Sequence, residues 1–237
     1  SSASKSAYDN YQKALEIEKA SGGKKTKEIM DGMTAKNLGG TLLMQGAAYY
    51  NSKNLEKAAE FFGLSSEINP KDTTAALYNG IANQYLQKND KAVSAFNNYL
   101  NAGGKDAAVF FSLSQILKTE KKYDQAIALL KKGAALNPSV SDLKAEVINM
   151  YLAGNNVNGA IGELESFVAA DPKNTSNLAN LGLLYDSRTQ NIVNEINDLK
   201  EKQSAGNTSA ISKKLENETL VVGDLEAEIK KVTANLK

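Results

Sequence analysis

The chain contains no histidine, no cysteine and no tryptophan, and only three of its 237 residues are proline. Without cysteine there are no disulfides, no thiolate zinc sites and no thiol nucleophile. Without histidine there is no imidazole base, no His-based catalytic triad and no imidazole metal ligand. An excess of one charge is also missing: 28 Lys plus Arg stand against 27 Asp plus Glu, and the two signs interleave along the chain. Phosphate backbones and anionic membrane surfaces draw on a basic excess, so the composition argues against a nucleic-acid partner. No apolar run approaches the roughly 18–20 residues of a membrane span, which argues against direct membrane insertion. No charged-then-apolar signal segment opens the chain. With 42% hydrophobic and 23% charged residues, and Gly and Pro too scarce for a disordered or collagen-like chain, the rest of the composition is that of an ordinary folded protein.

What is present is a ruler. The prolines are Pro70, Pro138 and Pro172, so the gaps are 138 − 70 = 68 and 172 − 138 = 34, both multiples of 34. At the skipped position stands Gly104, another helix-ending residue. A period of 34 residues is the length of a helix–turn–helix unit that buries its apolar face only against its neighbours. Stepping by 34 gives four complete units, 39–72, 73–106, 107–140 and 141–174. In the second helix of each, an alanine recurs: Ala58, Ala92, Ala126 and Ala160. Four residues on, along the same helical face, sits a large apolar side chain: Phe62, Phe96, Leu130 and Leu164. The small side chain is expected where two antiparallel helices cross closely. In the first helix a small slot reads Gly46, Gly80, Ser114, then Ile148, and returns as Gly182. Three residues on, an aromatic slot reads Tyr49, Asn83, Leu117, Tyr151 and Tyr185.

These slots resemble the tetratricopeptide repeat, W-x2-L-G-x2-Y…A-x3-F…P. The closest first-helix half is Leu181-Gly182-Leu183-Leu184-Tyr185, and the closest second-helix halves run from Tyr123 through Pro138 and from Ala160 through Pro172. The resemblance implies an all-α fold, a right-handed α-solenoid of 34-residue helix–turn–helix repeats. The pattern also departs from the family: the tryptophan is missing, and the small slot late in the second helix reads Ser65, Tyr99, Gly133 and Phe167. The segments Pro70-Lys71-Asp72-Thr73, Pro138-Ser139-Val140-Ser141 and Pro172-Lys173-Asn174-Thr175 each predict a helix stop followed by a capping side chain. Polar breakers at Lys53-Asn54, Asn89-Asp90 and Gly154-Asn155-Asn156 predict the inner turns.

The ends leave the ruler. Residues 1–38 read as an N-terminal half repeat, a second helix over 3–19, then a break at Ser21-Gly22-Gly23 and an amphipathic stretch from Thr26 through Leu38. That stretch is expected to run on as one elongated helix into 39–72, despite Gly39-Gly40 and a cost of about 1 kcal/mol per glycine. Residues 175–237 read as the first helix of a fifth repeat, extended into a long antiparallel helical hairpin over 186–237. Ile192, Val193, Ile196 and Leu199 continue the first helix, Ser204-Ala205-Gly206-Asn207 breaks it, and Val222, Leu225, Ile229, Val232 and Leu236 form a short heptad-like seam.

No pattern carries catalytic chemistry. Ser21-Gly22-Gly23-Lys24-Lys25-Thr26 lacks the spacing and preceding strand of a phosphate loop. The pairs Glu163/Glu165 and Glu226/Glu228 lie two apart and point away from each other on a helix. The expectation is therefore a protein that is not an enzyme, with no catalytic residue, cofactor or metal. The candidate site is the first-helix face that lines the concave groove in proteins of similar pattern: Tyr50, Leu77, Tyr78, Ile81, Tyr85, Phe111, Gln115 and Asn149, with Leu43, Ala47, Thr74, Lys118 and Glu146 beside them. Relatives that grip a terminal carboxylate use Lys, Asn and Arg there. Here most slots are apolar or aromatic, which suits a protein or peptide segment with apolar anchors. The expected function is a protein–protein interaction scaffold binding such a segment. The alternative is a structural subunit that self-assembles through the 186–237 hairpin, giving a homo-oligomer, or through the open N-terminal half repeat. The layout also resembles exported tetratricopeptide proteins of Gram-negative bacteria. Periplasmic or exported placement after removal of a signal peptide is the expectation, and the cytoplasm the alternative.

Overall fold

The computed structural model describes residues 2–206 and 209–235, and every regular element among them is an α-helix. The chain divides into two compact units: residues 1–119 with 135–139, and residues 120–134 with 140–237. The division falls inside the 107–140 segment.

The first unit holds α1 (Ala3–Ala20), α2 (Thr26–Ala35), α3 (Leu38–Asn51), α4 (Leu55–Ile68), α5 (Thr73–Tyr85), α6 (Asn89–Asn101) and α7 (Ala107–Thr119). The α3–α4 and α5–α6 pairs pack as hairpins around glycine seats. A Cβ built on Gly46 would lie 2.6 Å from the Phe62 ring, and one on Gly80 would lie 2.4 Å from the Phe96 ring. The glycines of the first helix are thus the floor on which the aromatic residues of the second rest, and both phenylalanines are fully buried. Ala58, Ala92, Ala126 and Ala160 are all inaccessible to solvent.

The inner turns follow the 34-residue period in backbone conformation. Lys53, Gln87, Lys121 and Asn155 all adopt the left-handed conformation, with φ of 60°, 57°, 58° and 57°. At three of them the hydrogen bonds are those of a Schellman end: Lys53 and Asn54 donate to Tyr50 and Tyr49 carbonyls, Gln87 and Lys88 to Gln84 and Asn83, and Asn155 and Asn156 to Leu152 and Tyr151. The second turn therefore falls at Leu86–Lys88, not at the breaker Asn89-Asp90. Those two residues open α6 instead, where an aspartate suits the positive end of the helix dipole.

The proline segments cap unevenly. Asp72 accepts from the Thr74 and Ala75 amides, and Asn174 from the Asn177 amide. After Pro138 the expected side-chain cap is absent: Val140 occupies the cap position of the next helix, without a side-chain hydrogen bond. At the skipped proline position, Gly104 and Tyr99 form one device. The Tyr99 ring fills the space a side chain at 104 would need, 2.2 Å from an ideal Cβ. Its phenolic oxygen accepts from the Lys105 and Asp106 amides at 3.1 and 2.9 Å. A bulky residue in a small slot has replaced a proline by tying down the same turn.

The expected elongated helix from Thr26 through Leu38 is broken. Helix α2 ends at Ala35, and Asn37, with φ 48°, turns the chain before α3 starts at Leu38. Asparagine tolerates this conformation better than most residues. The two glycines serve the start of α3: Gly40 leaves room for the Asn37 amide, 2.6 Å from an ideal Cβ. Gly39 is buried against Ile68, and its carbonyl accepts from Ser65 Oγ at 2.8 Å. Helix α2, freed to turn, buries Met33 with Tyr8, Leu15 and Leu42.

The second unit holds most of α8 (Tyr123–Leu136), then α9 (Ser141–Ala153), α10 (Val157–Ala170), α11 (Thr175–Gly206) and α12 (Ser209–Asn235). Here the glycine–phenylalanine seat is exchanged for Ile148 and Leu164, packed in one cluster, a trade of volume across the helix crossing that keeps the sum similar. Lys131 bridges helices, paired with Glu163 and 3.3 Å from the Tyr151 hydroxyl. Helices α11 and α12 form a hairpin 32 and 27 residues long on its two arms. Leu225 and Val232 of the seam are buried, Val222 and Ile229 half-buried. Asn207 and Leu236 lie outside the described residues. The partner of Gly182 is Val232, whose Cγ1 lies 3.4 Å from an ideal Cβ on the glycine. Gly46 and Gly80 meet residues 16 positions on; Gly182 meets one 232 − 182 = 50 positions on, later by a full repeat length.

Candidate functional site

Helices α3 and α5 bring three of the expected residues together. Tyr50 is half-buried against the Ala58–Phe62–Ala82 cluster. Its ring meets Tyr78 edge-on at 5.7 Å and tilts against Phe62 at 6.4 Å, while Tyr78 stacks on Phe62 at 5.5 Å. Burial pushes the Tyr50 phenol above its usual range, and the nearby Tyr85 and Tyr78 hydroxyls push the same way. It stays a neutral donor and acceptor at physiological pH. Tyr78 is 38% exposed and Tyr85 68% exposed. The arrangement is one pinned ring, one ring pinned on one face and one ring open to solvent. Rigid aromatic residues of this kind give contact area at small entropic cost, and their hydroxyls add directional bonds.

The other expected residues stand less free. Leu77 and Ile81 on α5 and Phe111 on α7 are half-buried, while Gln115 is exposed. Leu43 packs into the Phe62 cluster, so it supports the tyrosines from behind. Helices α5 and α7 are tied by Ser112, which donates to Gln84 Oε1 at 3.1 Å. Asn149 belongs to the second unit; it is exposed and donates to Glu146 on its own helix at 2.8 Å. Among the described residues no helix is long and apolar enough to cross a membrane.

At the two ends, large exposed apolar side chains are few. The N-terminal helices expose Ile17 and Met30, and the C-terminal hairpin exposes Leu183 and Leu220. The seam itself is turned inward: Leu225 and Val232 share a core with Ile161, Leu164, Leu178 and Tyr185.

A second concavity was not expected from the sequence. It lies between α4, α5 and α6, with Asn79 and Asn83 among its lining residues. The signal for it was present as a gap in the aromatic slot, where Asn83 stands between Tyr49 and Tyr151.

Sequence profiles of the tetratricopeptide repeat match residues 40–72 and 117–182. Among solved structures, a TPR-repeat protein from Bacteroides fragilis is 17% identical, with a TM-score of 0.56 over 83% of this chain and 92% of that one. The MamA protein is 13% identical, with a TM-score of 0.51 over 81% and 94%. At these identities the likeness is one of fold: an α-solenoid of helical repeats. No curated protein sequence matches the chain.

Proposed function

The chain carries tetratricopeptide repeats, and from that premise we propose that it is an interaction scaffold holding a segment of a protein partner against the tyrosine face of α3 and α5. The observation that carries this reading is Tyr85, 68% exposed, standing near rings already fixed on Phe62. An exposed aromatic ring is a costly surface to leave uncovered, and a pinned neighbourhood spares the partner the entropy of ordering it. The scarcity of cationic side chains at these slots favours apolar anchors on the partner over a terminal carboxylate. Dodecapeptides selected from a random displayed library on the purified protein supply the probe. Tyr85→Ala and Tyr78→Ala are each expected to weaken their binding at least tenfold with the far-UV circular dichroism unchanged. Undiminished binding in both variants refutes the reading.

Self-assembly through the terminal hairpin is the second reading, carried by Leu183 and Leu220. Light scattering across a hundredfold concentration range separates the two: a constant monomer mass leaves the scaffold reading alone standing.

A further inference from the structure

On the side of α5 turned away from the tyrosines, α4, α5 and α6 enclose an open groove of about 770 Å³. Its origin follows from a step of 34 residues. In the first repeat Tyr49 packs against Phe61 with ring centroids 5.3 Å apart, and the Lys57 ammonium lies 5.1 Å from the Tyr49 centroid. The same three positions in the next repeat are Asn83, Ala95 and Lys91. Both rings are gone, and the ammonium has lost the π face beneath it.

What replaces the rings is polar and ordered. Asn83 is 4% exposed, and its amide nitrogen donates to the Asn79 carbonyl at 2.9 Å and to Asn79 Oδ1 at 2.6 Å. Gly63 on α4 allows the close approach, since its ideal Cβ would lie 3.3 Å from Asn79 Nδ2. Glu56 stands on the α4 rim, and Lys88 and Lys91 at the start of α6. Among the described residues no ion pair joins α4 to α6. The junction one repeat earlier is spanned instead: Lys5 on α1 pairs with Glu60 at 3.1 Å, and Tyr8 donates to Glu67.

We propose that this groove is a second binding site, and that its occupant is an extended polypeptide segment of about five residues in which basic and acidic side chains alternate. Side-chain amides offer both a donor and an acceptor, which matches a main chain presenting N–H and C=O groups along one edge. From Glu56 to Glu67 the helix rises about 16 Å at ~1.5 Å per residue, the reach of about five extended residues at ~3.3 Å each. Successive side chains of an extended segment point to opposite sides. One set faces the α4 rim, where Glu56 is the glutamate not already bonded to α1, and the other faces Lys88 and Lys91 at the start of α6. The lining carries three glutamates and three lysines, and its apolar side chains are mostly alanines. That suits neither a phosphate backbone, which calls for a basic excess, nor the apolar face of an amphipathic helix.

The test restores the missing pair. Asn83→Tyr with Ala95→Phe rebuilds the Tyr49–Phe61 contact in the second repeat, so the variant is expected to fold and to melt above the native protein. Heptapeptides randomised at every position are selected by display on the native chain, then fluorescently labelled for anisotropy. Expected are enriched sequences of alternating charge whose affinity falls at least tenfold in the double variant and is unchanged by Tyr85→Ala, which separates this site from the tyrosine face. In the native protein the side-chain amide resonances of Asn79 and Asn83 are expected to shift on titration, a readout independent of whether the variant folds. No enrichment, equal affinity for the filled groove, or unmoved Asn79 and Asn83 resonances overturns the proposal.

Discussion

Gly80→Ala tests the helix seat directly. A methyl group at residue 80 would lie 2.4 Å from both Cδ1 and Cε1 of Phe96, where relaxed carbon contacts begin near ~3.5 Å. The ring must retreat by about 1 Å, and Phe96 is only 1% exposed, so it has nowhere open to go. Overpacking of a tight core costs about 1–3 kcal/mol. The better helix propensity of alanine returns about 1 kcal/mol, leaving a net loss of up to about 2 kcal/mol. Gly162 supplies the control: it lies exposed in α10 with nothing within 4 Å of an ideal Cβ, so the same substitution there gains up to about 1 kcal/mol. Urea unfolding followed by circular dichroism at 222 nm reads both, as opposite shifts in midpoint at constant slope. Adding Phe96→Leu to Gly80→Ala borrows the large-against-leucine packing that the chain uses at Ile148 and Leu164. It is expected to recover part of the loss, with a coupling of at least about 0.5 kcal/mol in the double-mutant cycle. If Gly80→Ala melts at or above the native midpoint, the close-approach account of the small slot is wrong.

Lys53→Gly, Gln87→Gly and Lys121→Gly each relieve a left-handed residue and are expected to raise stability by a few tenths to about 1 kcal/mol, the relief being partly offset by the added freedom of the unfolded chain. Thermal melts of the single variants check this, and three unchanged or lowered midpoints refute it. Tyr99→Phe keeps the ring on Gly104 but removes the acceptor of the Lys105 and Asp106 amides; about 1 kcal/mol is the expected loss, since both amides border solvent. Burial, then the hydrogen bond to Glu67, holds the Tyr8 phenol well above its usual range. The folded chain therefore keeps this proton to higher pH than the unfolded one. The associated stability is complete below about pH 10 and is lost as pH climbs beyond it. Alkaline melts of Tyr8→Phe are expected to show a shallower loss above pH 10 than the native protein, and parallel curves would count against the link.

The period was legible because it is written in residue types with one strong preference. Proline stops helices, and alanine or glycine alone fits a close crossing, so Ala58, Ala92, Ala126 and Ala160 mark the packing by residue identity alone. The inner turns recur on the same period, yet lysine and glutamine carry no signal for left-handed backbone, and Asn89-Asp90 drew the second turn too late. The break at Asn37 was hidden for a related reason. Gly39 and Gly40 looked like tolerated flaws within a helix, whereas their lack of side chains is what lets Ile68 and the Asn37 amide approach. For the candidate site, the sequence placed Tyr50, Tyr78 and Tyr85 on one face. It did not show that Phe62, a core residue of the next helix, is what fixes two of them. The polar groove escaped because it is made by absent rings at Asn83 and Ala95, and a missing side chain declares itself only against a neighbour that has one.

The distance along the chain from Gly182 to Val232 sets an order of events during synthesis. Each of the first two glycine seats can close once 16 further residues have left the ribosome, but the last must wait for 50, almost to the final described residue. Until then Leu178, Leu181 and Tyr185, all buried in the finished fold, stand without the helix that covers them. That stretch of the nascent chain thus waits longer for its cover than either of the two earlier seats. For those side chains, exposure to proteases and chaperones during synthesis is governed by how soon α12 arrives.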